Sequence, residues 1–304
     1  MKRWYQGFIN LPTAWSAAAA VAFPVVCLLV LVVCLPVAAT GPRSAGMAGV
    51  EVALSPEAIP LNPAAAGGIA EDQFYFGFSL PAAVGGGAGG GGATYYISLH
   101  QPADALDSGL AGTLSYVRSR QPFIDAATGK TVYRHKDHVV YQIAEAFAGG
   151  YVGVSARWFK ERQEGTSLAG EAWRVDVGLQ NTLWNRLTIG LVGQDLIGSS
   201  QKWSDGTEIA RQPTWRAGAG FQFGPSLLVA AEAWDWANYV PGSWSVGLEV
   251  NPLAALSLRG GYQVDGGKQS YTVGGSAHFG HWHFSAGGVV RSTWRGYLGA
   301  AVEF

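Results

Sequence analysis

The chain has 304 residues and a formal net charge of −1, and only 13% of its residues are charged. Soluble domains usually carry about a quarter charged residues, and nothing in this balance suggests nucleic-acid binding. Aromatic residues make up 12% of the chain and glycines number 43. After Val33 no unbroken apolar stretch approaches the length of a membrane-spanning helix, so the composition favours a transmembrane β-barrel.

The first predicted element is a secretory signal peptide over residues 1–39. A short basic region precedes an apolar core from about Ala17 to Val33, and Val37 and Ala39 have the spacing of a signal-peptidase site. A retained transmembrane anchor is the alternative, because the apolar run is long enough to span a bilayer. Both cysteines fall within this segment, so the exported chain is expected to have no disulfide framework and no thiolate metal site.

Residues 40–72 are predicted to form an N-terminal hatch, or plug. Beyond Val50–Leu54 they lack convincing strand alternation. The sequence Asn62-Pro63-Ala64 and the small residues after it indicate a turn and a short helix. A segment this apolar at the mouth of a barrel is expected to lie inside it.

From Gln73 onward, fourteen segments alternate between apolar and small or polar side chains. They are 73–80, 94–101, 109–118, 137–147, 150–160, 168–180, 184–195, 213–223, 226–236, 243–250, 255–264, 269–278, 281–290 and 295–304. The fold class predicted for residues 73–304 is therefore all-β, a transmembrane antiparallel barrel of about fourteen strands. A β-sandwich also alternates, but its outward face is usually richer in Lys, Glu and Thr than the sparse, glycine-rich polar face of this chain.

Two sets of connections interleave along the predicted barrel. Short turns, such as Gly224-Pro225, are assigned to the periplasmic side. Longer connections are assigned to the outer side, at 81–93, 119–136, 161–167, 196–212 and 237–242. Short periplasmic turns and long external loops are typical of outer-membrane barrels.

Charged residues of both signs fall on the face predicted to point into the lumen. These lumen-lining candidates are Arg157, Arg174, Asp176, Arg216, Glu232, Glu249, Arg259, Arg291 and Glu303. Because unpaired buried charge is costly, we expect them to form cross-strand ion pairs that brace the barrel. The alternative is a selectivity lining, or polar contacts to the head group of a substrate.

The sequence shows no clear pattern for a catalytic site or a metal site. The sharpest histidine cluster is expected to be a group of solvated rim residues rather than a metal site; it consists of His278, His281 and His283. Inward serines at 155, 257 and 285 belong to no recognisable Ser–His–carboxylate set. The prediction is a protein without enzyme activity, cofactor or metal.

The last predicted strand alternates up to the terminal residue. Leu298, Val302 and Phe304 fall on the face expected to meet lipid. A terminal aromatic residue on such a strand resembles the sorting signal of bacterial outer-membrane barrels. This resemblance implies an assembly signal at these residues, recognition by the barrel-assembly machinery, and contact with outer-membrane lipid.

Asn62-Pro63-Ala64, the fourteen strands and the terminal Phe304 together resemble the FadL-like outer-membrane superfamily, which includes long-chain fatty-acid transporters and PorV/PorQ-type proteins. Two further stretches resemble its PorV-type branch: Trp173–Leu179 running into Leu187–Leu196, and Leu228–Asp235. The resemblance covers residues 62–304. It implies a hatch inside the barrel and a channel or transporter for small hydrophobic or amphipathic molecules. The alternative it implies is a non-transporting structural or secretion-partner barrel, with a lumen closed by ion pairs.

Overall fold

The computed structural model describes residues 42–54, 60–80, 93–103, 109–124, 129–237, 240–291 and 294–304. The predicted signal peptide and residues 40–41 and 55–59 of the predicted hatch lie outside the described residues. Within those ranges, no helix has the length and apolar character needed to cross a membrane.

In the described part of the chain, sixteen strands form one antiparallel sheet. Their bounds are β1 Gln73–Leu80, β2 Thr94–Gln101, β3 Leu110–Ile124, β4 Thr131–Phe147, β5 Gly150–Gln163, β6 Ala169–Leu183, β7 Leu187–Gly198, β8 Gln201–Trp203, β9 Glu208–Ile209, β10 Thr214–Phe223, β11 Leu227–Ala237, β12 Val240–Leu253, β13 Leu256–Asp265, β14 Lys268–Phe279, β15 Trp282–Val290 and β16 Trp294–Glu303. Fourteen of them close into a barrel, because β1 pairs with β16 and β7 pairs with β10. The predicted fold class is confirmed.

The barrel wall has two different faces, as the alternation predicts. On β1, Tyr75 is fully buried whereas its neighbours Phe74 and Phe76 are each more than 40% exposed. The same alternation continues on β2, where Tyr96 and Ser98 are buried and Ile97 is exposed. Large apolar side chains therefore cover the outside of the barrel, as a wall in contact with lipid requires.

The two ends of the barrel differ in their connections. The end that carries Gln73 and Glu303 is called the terminal rim, and the opposite end is called the loop rim. At the loop rim the predicted loops 119–136 and 161–167 are wrong in extent, because β3 and β4 continue into the first and β5 continues into the second. Cross-strand contacts stabilise these extensions: the Arg120 guanidinium lies 3.6 Å from the ring centroid of Tyr133.

The predicted loop 196–212 contains a short hairpin instead of a plain loop. Its strands β8 and β9 pair with each other, and β8 also pairs with β6 outside the barrel order. Below this hairpin, the register between β6 and β7 shifts at Val175 and Val177, which leaves a bulge on β7. Asp195 lies in this bulge with a φ of 56°. The bulge brings the Asp195 carboxylate close to inward-facing charges on β5 and β6.

Among the residues described before the first strand, two short helical turns occur. The helix α1 spans Pro42–Gly46, and a 3-10 helix spans Pro63–Gly68. The sequence predicts the second but not the first. The Asn62 side chain caps the 3-10 helix by accepting a hydrogen bond from the backbone N–H of Ala64, and proline occupies the first helical position.

Candidate functional site

The interior of the barrel is occupied in part by the N-terminal segment, defined as residues 42–54 and 60–69. Most of its described side chains are fully or nearly fully buried, among them Met47, Val50 and Val52. It packs against inward-facing strand positions from Gly153, near the terminal rim, to Val289 and Tyr297, near the loop rim, where Ala45 lies. The segment therefore fills much of the lumen along one part of the wall.

Among the described residues, five inward-facing glycines lie so close to the segment that a Cβ on any of them would come within 3 Å of it. This glycine track consists of Gly153, Gly178, Gly190, Gly247 and Gly261. A methyl group on Gly190 would overlap the carbonyl oxygen of Val52, and one on Gly178 would overlap the Asn62 side chain. Only a residue without a side chain allows the segment's backbone to come this close. The glycine-rich inner face noted in the sequence thus has a specific structural reason.

Asn62 fixes the segment at its centre. Its side chain is fully buried, and its Nδ2 donates hydrogen bonds to the carbonyl oxygens of Val52, at 2.8 Å, and of Leu179 on β6, at 3.0 Å. The amide therefore joins two parts of the segment to each other and to the wall. Pro63 and Ala64 are buried beside it and contact the glycine track at Gly153.

The predicted lumen-lining residues Glu249 and Arg259 belong to a first charge cluster. Arg259 Nε donates to Glu249 Oε2 at 2.6 Å. Arg43 of the N-terminal segment donates to both oxygens of the same carboxylate, at 2.9 Å and 3.0 Å. Bidentate contacts of this kind are among the strongest hydrogen bonds in proteins. Arg43 and Glu249 are 206 residues apart, so no local sequence pattern indicates that they pair.

Glu232 and Arg216 form a second cluster, and both were predicted to line the lumen. Arg216 Nη1 donates to Glu232 Oε1 at 2.7 Å. The other oxygen, Oε2, accepts the backbone N–H groups of Glu51 at 2.7 Å and Val52 at 2.9 Å. The carboxylate is only 2% exposed, so these partners replace its lost hydration. Glu232 thereby holds the segment's backbone against β11.

A third cluster joins Arg157, Arg174 and Asp176 to Asp195. Arg157 lies 2.7 Å from Asp176 and 2.6 Å from Asp195. Arg174 approaches Asp195 at 3.6 Å, and the backbone N–H of Asp195 donates to Asp176. Asp195 was not among the predicted site residues. The regular alternation of a strand does not indicate where a bulge occurs, so the sequence does not predict that the β7 bulge adds the Asp195 carboxylate to the cluster.

The two remaining lumen-lining candidates lie at the rims. Arg291 bonds the backbone carbonyl of Asp265 at 3.2 Å at the loop rim, and it is exposed. Glu303 accepts a hydrogen bond from Gln73 at 3.1 Å at the terminal rim. Neither belongs to the three buried clusters. Their charges therefore link strand ends and do not line the middle of the lumen.

The three residues of the predicted assembly signal are arranged along the closing strand. Leu298 pairs with Phe78 and Val302 pairs with Phe74, both across the β1–β16 seam. Phe304 is 70% exposed, and its backbone N–H donates to Asp72. Together these side chains form part of the apolar outer surface where the barrel closes.

The histidines and serines considered for metal or catalytic roles lie near the terminal rim or inside charge clusters. His278 and His283 face each other with ring centroids 4.0 Å apart, and His281 lies in the adjoining turn. Within the described residues, no group of three His, Cys, Asp or Glu is close enough to hold a metal ion. The Ser155 hydroxyl donates to Asp176, and that of Ser285 lies 3.1 Å from Tyr75 Oη.

A cavity of about 470 Å³ occupies the lumen on the side of the loop rim. Pro60 and Leu61 of the N-terminal segment bound it toward the terminal rim. One part of its lining is apolar, with Tyr96, Val117 and Val140, and another part is polar. The polar lining includes Ser79, Thr94, Ser119, Lys136, His138, Arg157 and Arg295. Cavities of this volume and mixed lining are the usual sites for small molecules in proteins.

The sequence matches no protein-family model. It also matches no curated protein. Its structure is similar to solved channel and transporter proteins at low sequence identity. The monoaromatic hydrocarbon channel CymD has a TM-score of 0.65 and 13% identity, over 89% of this chain and 99% of that one. The toluene transporter TodX of P. putida has a TM-score of 0.61 and 13% identity, over 88% and 99%.

A FadL homologue of Pseudomonas aeruginosa has a TM-score of 0.59 and 10% identity, over 89% of this chain and all of that one. Similarity at these identities shows the fold alone. The chain has the barrel fold of CymD, TodX and this FadL homologue.

Proposed function

We propose that this barrel is a bacterial outer-membrane channel for small hydrophobic or amphipathic molecules. The observation that carries the proposal is the luminal cavity of about 470 Å³, bounded by Pro60 and Leu61 of the N-terminal segment. Its apolar side chains fit a hydrophobic body, and its polar side chains fit a polar group on the same molecule. The proposal assigns the chain no catalytic role.

The names of the similar structures support the substrate class. Two of them are described as a monoaromatic hydrocarbon channel and a toluene transporter. In the proposed orientation the loop rim faces the outside and the terminal rim faces the periplasm. Export through a signal peptide over residues 1–39, and assembly guided by Leu298, Val302 and Phe304, are parts of the same proposal.

The N-terminal segment is the hatch of this proposed channel. Contact with the glycine track leaves little space between the segment and the wall, so passage from the cavity to the terminal rim requires the segment to shift. Two sets of contacts hold it in place. The Arg43 side chain donates to Glu249, and the backbone N–H groups of Glu51 and Val52 donate to Glu232. All of them are hydrogen bonds that re-form after a displacement.

A reversible disulfide tests this hatch. A Cβ built on Gly218 lies 3.3 Å from the Cβ of Val52, close to the spacing that a disulfide needs. The double variant Val52→Cys with Gly218→Cys should conduct a small aromatic probe into liposomes when reduced and block it when oxidised. The Val52→Cys single variant, which cannot close the bridge, is the matched control. Equal uptake by both redox forms would show that the segment does not gate passage, and an inert unmodified chain would refute transport itself.

The second candidate function is a structural or secretion-partner barrel with a closed lumen. The observation that favours it is the fixed position of the segment, which both Glu232 and Glu249 hold. A closed barrel would admit no probe in either redox state of the disulfide variant. A stable partner protein would then co-purify with the unmodified chain, whereas uptake through the reduced variant would exclude this function.

A further inference from the structure

The outer wall carries a band of aromatic residues where β3 to β6 approach the loop rim. Tyr116, Val139, Trp158 and Trp173 are successive cross-strand neighbours in one row. The rings of Trp158 and Trp173 are 42% and 48% exposed. Amphipathic rings of this kind concentrate at the boundary between hydrocarbon and head groups. This row therefore marks the edge of the apolar layer on that side of the barrel.

Two rows of charged residues follow directly toward the loop rim. Arg118, Asp137, Lys160 and Glu171 are neighbours in the first row, and Arg120, His135 and Arg162 are neighbours in the second. Two residues along a strand span about 7 Å, so the first charged row lies within one head-group layer of the aromatic row. On the strands β14, β15, β16, β1 and β2, as far as they are described, the outward face has no charged residue. The charge is thus confined to one side of the barrel.

Asp137 holds two guanidinium groups in this patch. Its Oδ2 accepts a hydrogen bond from Arg162 Nη2 at 3.0 Å, and its Oδ1 accepts the Tyr116 hydroxyl at 2.6 Å. Arg118 Nε lies 3.8 Å from the same carboxylate, beyond hydrogen-bond distance. Both arginine side chains are more than half exposed. The carboxylate therefore orients the two cations and leaves much of each accessible.

A cleft of about 380 Å³ opens between these cations and the turn that follows β5. It is lined by Arg118, His135 and Arg162, and by Glu164, Thr166 and Ser167 of the turn. The Glu164 carboxylate accepts a hydrogen bond from Arg120 and lies 3.2 Å from His135 Nε2, so its charge is already balanced by these neighbours. Guanidinium forks and hydroxyl groups are the donors that proteins use for phosphate. Because the cleft lies on the lipid-facing side of the wall, a membrane lipid is the phosphate source that fits its position.

We propose that this cleft binds the phosphate group of a lipid in the leaflet that meets the loop rim, with Arg118 and Arg162 as the principal donors. The lipid tail lies against the aromatic row, and the phosphate lies at the height of the charged rows. The inference rests on the proposed outer-membrane location, but it does not depend on transport.

The test measures lipid binding to the purified full chain in a non-ionic detergent by native mass spectrometry. Lipid A with two phosphates, lipid A stripped of its phosphates, and sodium phosphate are the probes. The double variant Arg118→Gln with Arg162→Gln should bind phosphorylated lipid A about tenfold more weakly than the unmodified chain. The control, Lys202→Gln with Lys268→Gln, removes the same charge from the loop rim outside the cleft and should leave binding unchanged.

Three results would overturn the proposal: equal binding by the two double variants, equal binding of phosphorylated and stripped lipid A, or displacement of the lipid by an equal concentration of sodium phosphate. A salt titration of the unmodified chain gives an answer even if the arginine variant does not fold, because phosphate binding must weaken as the salt concentration rises. Binding is measured without any flux, so a barrel that transports nothing still returns a clear result.

Discussion

The close fit between the N-terminal segment and the wall makes the substitution Gly261→Ala a sensitive probe. A Cβ at this position would lie 2.8 Å from the Cβ of Ala48 and 2.9 Å from its backbone nitrogen. Neither atom is the end of a flexible side chain, so the segment itself has to move. Overpacking of this kind costs about 1–3 kcal/mol. We expect the cost to appear as easier release of the segment while the barrel stays folded.

Hydrogen–deuterium exchange of residues 44–54 in detergent measures this release. A cost of about 1–3 kcal/mol corresponds to exchange about 5- to 150-fold faster. The matched control is Gly260→Ala on the adjacent, outward-facing residue, where the nearest atom to a new Cβ is 3.8 Å away. That change should leave exchange of the segment unaltered, and it should stabilise the strand by about 0.5 kcal/mol because alanine replaces glycine. Equal exchange rates in the two variants would refute the packing argument.

Two further predictions concern single carboxylates. Glu232→Gln should lower the free energy of unfolding by about 2 kcal/mol in urea titrations, because Arg216 loses its buried partner and two backbone N–H groups lose a charged acceptor. Hydrogen bonds from Arg120 and His135 hold the pKa of Glu164 below its ordinary value, so Arg120→Gln should raise that pKa in a ¹³C NMR titration. Because the pKa is lowered in the folded state, the contribution of Glu164 to stability is present above its unfolded-state pKa and is lost as the pH falls through the folded-state value.

Exposed carboxylates supply the controls. Glu208→Gln breaks only the solvent-exposed pair with Lys202 and should change the unfolding free energy by less than about 1 kcal/mol. If Glu232→Gln also changed the unfolding free energy by less than about 1 kcal/mol, the assigned role of Glu232 would be contradicted. The pKa of Asp205 is lowered by hydrogen bonds from Thr207 and should not respond to Arg120→Gln. If both carboxyls respond alike, the direct contact between Arg120 and Glu164 is not the cause.

The sequence predicts the barrel well because lipid is apolar, the lumen is polar, and successive side chains of a strand point to one and then the other. The alternation around Trp215 and around Trp244 therefore identifies both the strands and their faces. Trp234 shows where this reasoning stops. Its place near a strand end favours an interfacial ring that faces lipid, but the ring contacts the inward-facing guanidinium of Arg216 at 4.4 Å. Position near a strand end does not fix the face of a tryptophan.

The candidate site is less predictable because its contacts join distant parts of the chain. The sequence predicts that Glu249 and Arg259 are inward, and their pairing follows from neighbouring strands. It does not predict that Arg43 shares the same carboxylate, since no periodicity relates a pre-barrel residue to β12. Strand ends are also difficult: β3 and β4 continue past the predicted boundary on charged residues that pair across strands.

The glycine track has a consequence for how the protein folds. Each of its five glycines weakens its strand by about 0.5–1 kcal/mol relative to alanine. The wall thus gives up intrinsic strand stability at five positions and regains contacts only when the N-terminal segment is present. A barrel that lacks this segment would have an empty groove lined by its weakest strand positions. The first residues of the described chain therefore contribute to the stability of strands that lie more than a hundred residues away, although the segment itself can be released while the barrel stays folded.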